Sequence, residues 1–247
     1  MHRILFQIGP MTIYSYGLLM AIAFIVSTVF ILSDAKKEGI DTGKMMDVMV
    51  IIILSGILGG RLLFVAQNLG HYTRNPLQIF MLNEGGLAFQ GAFLGALIGG
   101  IIASKKKRIH FWKGADVIAP YVALGQGIGR IGCFLNGCCY GKFAEKGIKF
   151  VFPQETLARV PAQLYSSLTL FGLFAVLVLL KRKKMFDGYI FSMYMMLYGV
   201  LRFFLEFIRA DNPAVLFDLK LSQIIGIATF FAGALTYNSL KVKRFKG

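Results

Sequence analysis

The sequence predicts an all-α polytopic membrane protein with about seven transmembrane helices, its N-terminus outside and its C-terminus in the cytoplasm. Hydrophobic residues make up 56% of the 247-residue chain, and the mean hydropathy is +0.65. That share exceeds the roughly 45–50% apolar content of soluble domains. The apolar residues also form runs of about 20, the length that a spanning helix needs. Only short polar breaks separate these runs, so the whole chain, 1–247, is predicted to be a single integral membrane domain.

Each apolar run is a candidate membrane span. The third run is short and the fourth contains several glycines, so their ends are less sharply defined than those of the others. The predicted spans are Met11–Leu32, Met45–Ala66, Leu87–Ser104, Gly114–Phe134, Ala162–Leu180, Gly188–Ile208 and Leu221–Leu240.

The distribution of charge sets the predicted orientation. The chain has 27 Lys and Arg against 12 Asp and Glu, a net charge of +15. Most of the cations cluster in alternate connections between spans, which the positive-inside rule places in the cytoplasm. The sequence shows no basic stripe interleaved with aromatics, so nucleic-acid binding is not predicted. The clusters are Lys36, Lys37 and Lys44; Lys105, Lys106, Lys107, Arg108 and Lys113; Lys181, Arg182, Lys183 and Lys184; and Lys241, Lys243, Arg244 and Lys246.

Three arginines lie inside predicted spans, at similar depth near the outer face: Arg61, Arg130 and Arg202. Ionisable groups in a spanning helix face the bundle interior or a water-filled cavity. Because guanidinium binds phosphate in a bidentate manner and keeps its charge, these arginines predict an outward-facing cavity for a lipid phosphate. The alternative is that each one snorkels to the interface or pairs with a carboxylate.

Other polar residues are predicted at the same depth. Tyr14 and Tyr16 lie near the outer start of the first span, and Gln90 lies near the outer start of the third. On the sixth span, spacings of four, four and three residues place a group of polar side chains on one helical face. Within this group Glu206 can neutralise Arg202, aim it at a substrate phosphate, or take a proton, and aiming is the favoured interpretation. The group is Tyr198, Arg202, Glu206 and Arg209.

The segment after the fourth span contains the pattern of a tight turn. Residues 136–141 include Asn-Gly and a second glycine, which would carry Asn136 back toward Arg130. The chain's three cysteines are Cys133, Cys138 and Cys139, and its histidines are scattered. No metal site or disulfide framework is therefore predicted. The adjacent cysteines are interpreted as turn residues, with redox activity or metal binding as the less favoured alternative.

Several separated motifs resemble, in order, those of the bacterial phosphatidylglycerol:prolipoprotein diacylglyceryl transferases. The likeness covers almost the whole chain. The most specific motif is residues 129–137 followed by Tyr140-Gly141. The others are 159–165, similar to "R-x-P-x-Q-L-Y"; 198–209, similar to "YG-x-x-RF-x-x-E-x-x-R"; and the weaker matches Tyr16-Gly17 and Gly60-Arg61.

The resemblance implies an enzyme of the bacterial cytoplasmic (inner) membrane. It would move the diacylglyceryl group from phosphatidylglycerol to the lipobox cysteine of a preprolipoprotein and release sn-glycerol 1-phosphate, without metal or organic cofactor. By motif position, Arg130 and Asn136 would hold the headgroup, Arg202 would stabilise the leaving phosphate, and Glu206 would orient Arg202. The remaining expected site residues are Tyr16, Arg61 and Arg209 for the lipid and Gln90 for catalysis.

One departure from the family pattern affects the expected chemistry. Gln90 stands where the family frequently has histidine, and an amide cannot take a proton at neutral pH. Either nearby arginines lower the pKa of the acceptor thiol and solvent takes the proton, or Glu206 is the base, or this chain does different chemistry. A paralogue that lipidates another acceptor is therefore the second hypothesis. A lipid or anion transporter is the third, although the sequence lacks the internal symmetry common in transporters.

Overall fold

Helices occupy all seven segments that the sequence predicts to span the membrane. The structure is a computed structural model that describes residues 3–8, 11–81, 85–144, 146–153, 155–210, 214–216 and 218–246. Within these ranges a short α3 and a 3-10 helix follow α2, outside the predicted spans. The helices are α1 (Ser15–Lys37), α2 (Thr42–Gln67), α3 (Leu69–Tyr72), the 3-10 helix (Pro76–Phe80), α4 (Phe89–Lys107), α5 (Phe111–Asn136), α6 (Ala162–Lys181), α7 (Tyr189–Leu205) and α8 (Leu221–Lys246).

Short antiparallel strand pairs join some of the helices. β1 (Ile4–Ile8) pairs with β2 (Met11–Tyr14), so α1 begins four residues later than the sequence predicted. The Ser15 hydroxyl donates to the Arg3 carbonyl at 3.3 Å, which ties the start of α1 to β1. The sequence analysis predicted none of the strands. The other pairs are β3 (Phe150–Val151) with β4 (Ala158–Arg159), and β5 (Ala214–Leu216) with β6 (Leu219–Lys220).

The helices have the length and composition of a multi-pass membrane protein, which confirms that class. Among the described residues, α1, α2, α5 and α6 are long and apolar enough to cross a bilayer, and α7 is a shorter apolar helix. Many of their large hydrophobic side chains point outward, for example Ile25 and Leu58, which are at least 60% exposed. Such exposure suits helices that face lipid rather than water.

By their internal contacts, the residues divide into two compact units. The first contains 1–31 and 115–247, and the second contains 32–114.

In the second unit, α2 packs closely against α4 through small residues. A Cβ atom added to Gly59 would lie 2.4 Å from the Gly91 carbonyl oxygen. Only glycine allows this approach, which is typical of helix packing in membranes. The Ala88 amide also donates to the Gly60 carbonyl at 3.0 Å, and this bond fixes the start of α4 beside α2.

In the first unit, hydroxyl groups join α5 to α1 and α6. Ser27 donates to the Tyr121 carbonyl at 3.0 Å, and Ser167 donates to the Gly127 carbonyl at 2.8 Å. Each bond crosses from one helix to another and satisfies a polar group in apolar surroundings. The main buried cluster of this unit lies along α5, α6 and α7 and includes Ala123, Leu177 and Ile190.

The position of α7 is fixed at its start and along its length. The Asp116 carboxylate accepts hydrogen bonds from the Gly188 and Phe191 amides, at 2.8 and 2.9 Å. Farther along, a Cβ atom on Gly199 would lie 2.6 Å from the Gly226 carbonyl oxygen, so α7 and α8 nearly touch. This close packing determines which residues of α8 reach the end of α7.

Candidate functional site

The residues predicted to form the site divide between the two units. The second unit contains Arg61 and Gln90. The first unit contains the other six: Tyr16, Arg130, Asn136, Arg202, Glu206 and Arg209.

Arg61 is buried and fully hydrogen-bonded within its own unit. Its side chain is only 5% exposed, and its guanidinium lies 5.4 Å from the centre of the Tyr72 ring. The five N–H groups that a guanidinium can offer are matched by five backbone carbonyls. They belong to Gln78, Ile79, Met81, Gly85 and Gly86. These bonds tie Arg61 to the 3-10 helix and to the two glycines before α4. The expected role of Arg61 in binding lipid phosphate stays a prediction.

Gln90 lies in the first turn of α4, and its side chain is exposed. An amide there can donate and accept hydrogen bonds but cannot serve as a base at neutral pH. Gln90 can therefore contribute to the site only through hydrogen bonds.

Arg202 is held between two side chains at the end of α7. Its Nη2 lies 3.2 Å from Glu206 Oε2 and donates to the Ser222 hydroxyl of α8 at 2.7 Å. The Glu206 side chain is 0% exposed, so its charge is neutralised inside the protein by this ion pair. The pairing of Arg202 with Glu206 that the sequence spacing predicted is present.

The chain beyond α7 departs from the predicted helix. The helix ends at Leu205, so Arg209 lies in the following segment instead of continuing the face of Tyr198 and Arg202. Arg209 is buried and forms a backbone bridge with Gly141. Lys220 Nζ donates to the Arg209 carbonyl at 2.6 Å and to the Glu206 carbonyl at 3.3 Å. The segment thereby joins the end of α7 to the turn that follows α5.

Arg130, in the last part of α5, is half-buried. It interacts electrostatically with Tyr16, Cys133 and Arg202. Within the part of the chain that the structure describes, its guanidinium forms no hydrogen bond or ion pair. Its donors are therefore available to an anion that enters from outside.

The turn after α5 has the geometry of a Schellman motif. Gly137 has a φ of +76°, its amide donates to the Phe134 carbonyl at 3.1 Å, and the Cys138 amide donates to the Cys133 carbonyl at 3.2 Å. This hydrogen-bond pattern ends a helix and brings together the side chains at its two outer positions, here Cys133 and Cys138. The tight turn predicted from Asn136-Gly137 is confirmed.

Cys139 completes a cluster of three thiols. Its φ is +61°, a left-handed conformation that is uncommon outside glycine. The Sγ atoms of Cys133, Cys138 and Cys139 all lie within 4.8 Å of one another. All three are free thiols, and Asn136, the last residue of α5, comes directly before the turn that forms the cluster. This convergence was not predicted from the sequence, in which the adjacent cysteines were interpreted as plain turn residues.

A cavity of about 400 Å³ opens beside two of these cysteines. On one side, Glu155 accepts hydrogen bonds from Tyr140 at 2.5 Å and from the Arg159 guanidinium at 2.8 and 3.0 Å. These bonds, with that from Tyr140 the strongest, hold the pKa of Glu155 below its ordinary value. The cavity is lined by Gly137, Cys138, Cys139, Tyr140, Glu155, Arg159 and Ala210.

Five residues near the predicted site form contacts that were not predicted from the sequence. Ser222 and Lys220 contact the end of α7 only because α8 packs closely on it, and no sequence signal marks such a contact. The convergence of Cys133 and Cys138 had a signal, because a glycine after a helix predicts contact between these two positions. Gln163, almost fully buried, donates from its Nε2 to the Cys138 carbonyl at 2.6 Å.

Comparison with known proteins gives one consistent result. The sequence model of the prolipoprotein diacylglyceryl transferase family matches residues 3–238. A phosphatidylglycerol–prolipoprotein diacylglyceryl transferase 2 of Clostridium perfringens is 34% identical over 98% of this chain and 97% of the relative. Proteins named phosphatidylglycerol–prolipoprotein diacylglyceryl transferase from Clostridium tetani (34% identical, 100% and 99% covered) and Finegoldia magna (36%, 95% and 94%) are similar. These matches confirm the resemblance found in the motifs.

Proposed function

The chain belongs to the prolipoprotein diacylglyceryl transferase family, and we propose that it lipidates the lipobox cysteine of preprolipoproteins with the diacylglyceryl group of phosphatidylglycerol. The product is a thioether-linked lipoprotein precursor, and sn-glycerol 1-phosphate is released. The match over nearly the full length of chain and relatives carries this conclusion. Because the match runs through both compact units, it also supports the proposal that residues 1–247 form a single transferase domain.

The reaction exchanges one bond for another. A C–S bond forms between the acceptor sulfur and the terminal glycerol carbon of the diacylglyceryl group, and the C–O bond to the phosphate breaks. The phosphate leaves with the electron pair, and the thiol proton passes to solvent or to the departing phosphate. The site must therefore supply a thiolate and stabilise the negative charge that leaves.

The first unit contains residues suited to the leaving phosphate. Arg130 and Asn136 hold the headgroup of phosphatidylglycerol, because the Arg130 guanidinium has donors that the described residues do not use. Arg202 stabilises the leaving phosphate, while Glu206 and Ser222 fix its orientation. Tyr16, the second residue of α1, lines the pocket that Arg130 and Arg202 form for the lipid phosphate. Buried Arg209 interacts electrostatically with Arg202. The lipid-binding roles expected of Arg209 and Arg61 stay predictions.

The proposed membrane topology has seven spans, with the N-terminus outside and the C-terminus in the cytoplasm. The basic clusters lie at the C-terminal ends of α1, α4, α6 and α8, in the first turn of α2, before and within the first turn of α5, and before α7. Tyr16, Arg130 and Arg202 lie at the opposite ends of α1, α5 and α7. The positive-inside rule then supports an active site near the outer leaflet of the bacterial inner membrane.

Complementation tests this function directly. A bacterium depleted of its own diacylglyceryl transferase should grow when this chain is expressed, and its lipoproteins should carry the lipid. Failure at good membrane expression would contradict the proposal. Purified protein is then incubated with phosphatidylglycerol and a panel of thiol, amine and hydroxyl acceptors. Lipid transfer to the lipobox peptide is expected from the proposed transferase, whereas transfer to another acceptor is expected from a paralogue.

Orientation requires its own measurement. Single cysteines are introduced in a cysteine-free variant at Lys146 and Lys243, and intact cells are treated with a membrane-impermeant maleimide. Labelling at position 146 and protection at 243 are expected, and the reverse pattern would overturn the topology.

A further inference from the structure

The three-thiol cluster has the dimensions of a metal site. Zn²⁺ binds thiolate sulfur at about 2.3 Å, so sulfurs in a tetrahedral site lie about 3.8 Å apart. The Sγ atoms of Cys133, Cys138 and Cys139 already lie within 4.8 Å of one another. Rotation about side-chain bonds moves a sulfur by the remaining distance of about 1 Å without changing the backbone.

The backbone around the cluster is fixed in the conformation that assembles it. The Schellman motif places Cys133 beside Cys138, and the left-handed φ of Cys139 (+61°) turns a third thiol into the group. A non-glycine residue in this region costs about 1 kcal/mol and is retained where the surroundings determine it. The hydrogen bond from Gln163 to the Cys138 carbonyl, 2.6 Å long, supplies part of that constraint.

A second polar group at the cluster lacks a partner. Gln163 is 1% exposed, and its Oε1 has no hydrogen-bond partner in the described part of the chain. Burying such an oxygen is unfavourable unless something donates to it. A water molecule bound to a metal ion at the cluster can provide that donor group.

A permanent cation lies near the cluster. Three thiolates and one Zn²⁺ carry a net charge of −1, and a fourth thiolate makes it −2. Arg130 interacts electrostatically with Cys133, so a permanent cation offsets part of this charge. Cys138 and Cys139 also line the cavity of about 400 Å³, so a fourth ligand can reach the site from outside the protein.

We propose that Cys133, Cys138 and Cys139 bind one Zn²⁺ ion whose fourth position takes the acceptor thiol. Three protein ligands and one exchangeable position are the pattern of a catalytic zinc site. The binding of the acceptor thiol at the fourth position rests on the proposed function. No metal was expected from the sequence, because its histidines are scattered and the family resemblance implied none.

The proposed step accounts for the acceptor proton. A thiol that binds zinc is deprotonated, so the acceptor releases its proton to solvent when it coordinates. The bound sulfur then forms the C–S bond, the C–O bond breaks, and the phosphate leaves with the electron pair. The thioether is neutral and a weaker ligand, so it dissociates and the zinc position is open again. No residue at position 90 needs to act as a base.

Thiol protection tests the metal site separately from activity. The chain has only three cysteines, so a thiol reagent reports on this cluster alone. In the reduced, metal-free full-length protein in detergent, three thiols should react, and one equivalent of Zn²⁺ should protect all three. Co²⁺ should give a thiolate-to-metal charge-transfer absorption. Three fully reactive thiols in the presence of Zn²⁺ would overturn the site.

Variants identify the ligands. Cys133→Ser, Cys138→Ser and Cys139→Ser should each weaken Zn²⁺ binding at least tenfold. Tyr140→Phe is the matched control, because it lines the same cavity without a thiol, and its Zn²⁺ affinity should be unchanged. Thermal melting of the metal-free variants excludes unfolding as the cause. Unchanged Zn²⁺ affinity, relative to the unmutated protein, in any of the three serine variants would contradict three-thiolate binding.

Coordination of the acceptor thiol is measured by the absorption of the Co²⁺-loaded protein. Addition of a lipobox peptide to the Co²⁺-loaded protein should change the charge-transfer absorption, whereas the same peptide with serine for cysteine should not. An unchanged spectrum in a preparation that lipidates the peptide would overturn thiol coordination. A changed spectrum without lipid transfer from phosphatidylglycerol would instead contradict the proposed function and leave the metal site standing.

Discussion

Arg61 and Arg130 follow a glycine in apolar helices of the two units, yet their surroundings differ. Arg61 donates five hydrogen bonds to backbone carbonyls of its own unit and is 5% exposed. Arg130 is half-buried and forms no hydrogen bond within the described residues. The same Gly-Arg pattern therefore stabilises the fold in one case and remains available to a ligand in the other.

The difference has a simple physical origin. Removing a guanidinium from water costs free energy, which hydrogen bonds must offset. At Arg61 folding supplies the acceptors, so its interactions contribute to stability. At Arg130 the described residues supply no acceptors, so the guanidinium donors are unused until an anion binds. A lipid phosphate can therefore accept hydrogen bonds from donors that are already positioned. Functional sites commonly accept such a loss of stability.

The largest effect that this comparison predicts is at Arg130. Arg130→Ala should lower kcat for lipid transfer about 10³-fold, since it removes a charged donor from the leaving phosphate. Its melting temperature in detergent should be unchanged or slightly higher, because no intramolecular hydrogen bond of the described chain is lost. Transfer of radiolabelled lipid to a lipobox peptide measures the rate. Exposed Arg74→Ala is the matched control and should keep full activity. Full activity in Arg130→Ala would end the proposed phosphate role.

The converse result is expected at Arg61. Arg61→Ala should destabilise the protein by about 3 kcal/mol, because several buried carbonyls lose their donor at once. Limited proteolysis should then cut between α3 and α4, where these carbonyls lie. Activity per folded molecule should fall far less than in Arg130→Ala. A fully stable but inactive Arg61→Ala protein would show that Arg61 binds substrate after all.

The sequence predicted the features that depend on residues close together in the chain, and it did not predict contacts between distant residues. Apolar runs and basic clusters located the helices, because both are continuous in the chain. The pairing of Arg202 with Glu206 followed from helical spacing alone. The five acceptors of Arg61 could not be predicted, since they lie on an irregular connection whose path no periodicity marks. The contact of Ser222 with Arg202 depends on how two helices pack, which is equally hidden.

In the first unit, Glu206 tests whether a neighbouring charge orients Arg202. Glu206→Gln keeps the size of the side chain but removes the charge beside Arg202, and kcat should fall about 10–100-fold with little change in KM. The pH dependence of kcat separates the alternatives. If Glu206 aims Arg202, the profile keeps its shape in the variant. If Glu206 is the base, one limb of the profile disappears in the variant, and the aiming role is wrong.

The smallest expected effect is at Ser222, the neutral partner of the same guanidinium. Ser222→Ala removes one hydrogen bond to a charged group, worth about 1 kcal/mol, so kcat should fall about fivefold. Thr229→Ala on the same helix is the matched control, because that hydroxyl donates only to the Ile225 carbonyl of its own helix. An effect of Ser222→Ala as large as that of Glu206→Gln would mean that hydrogen-bond geometry, and not charge, orients Arg202. No effect in either variant would mean that Arg202 needs no partner for its orientation, in which case it resembles Arg130 more closely than Arg61.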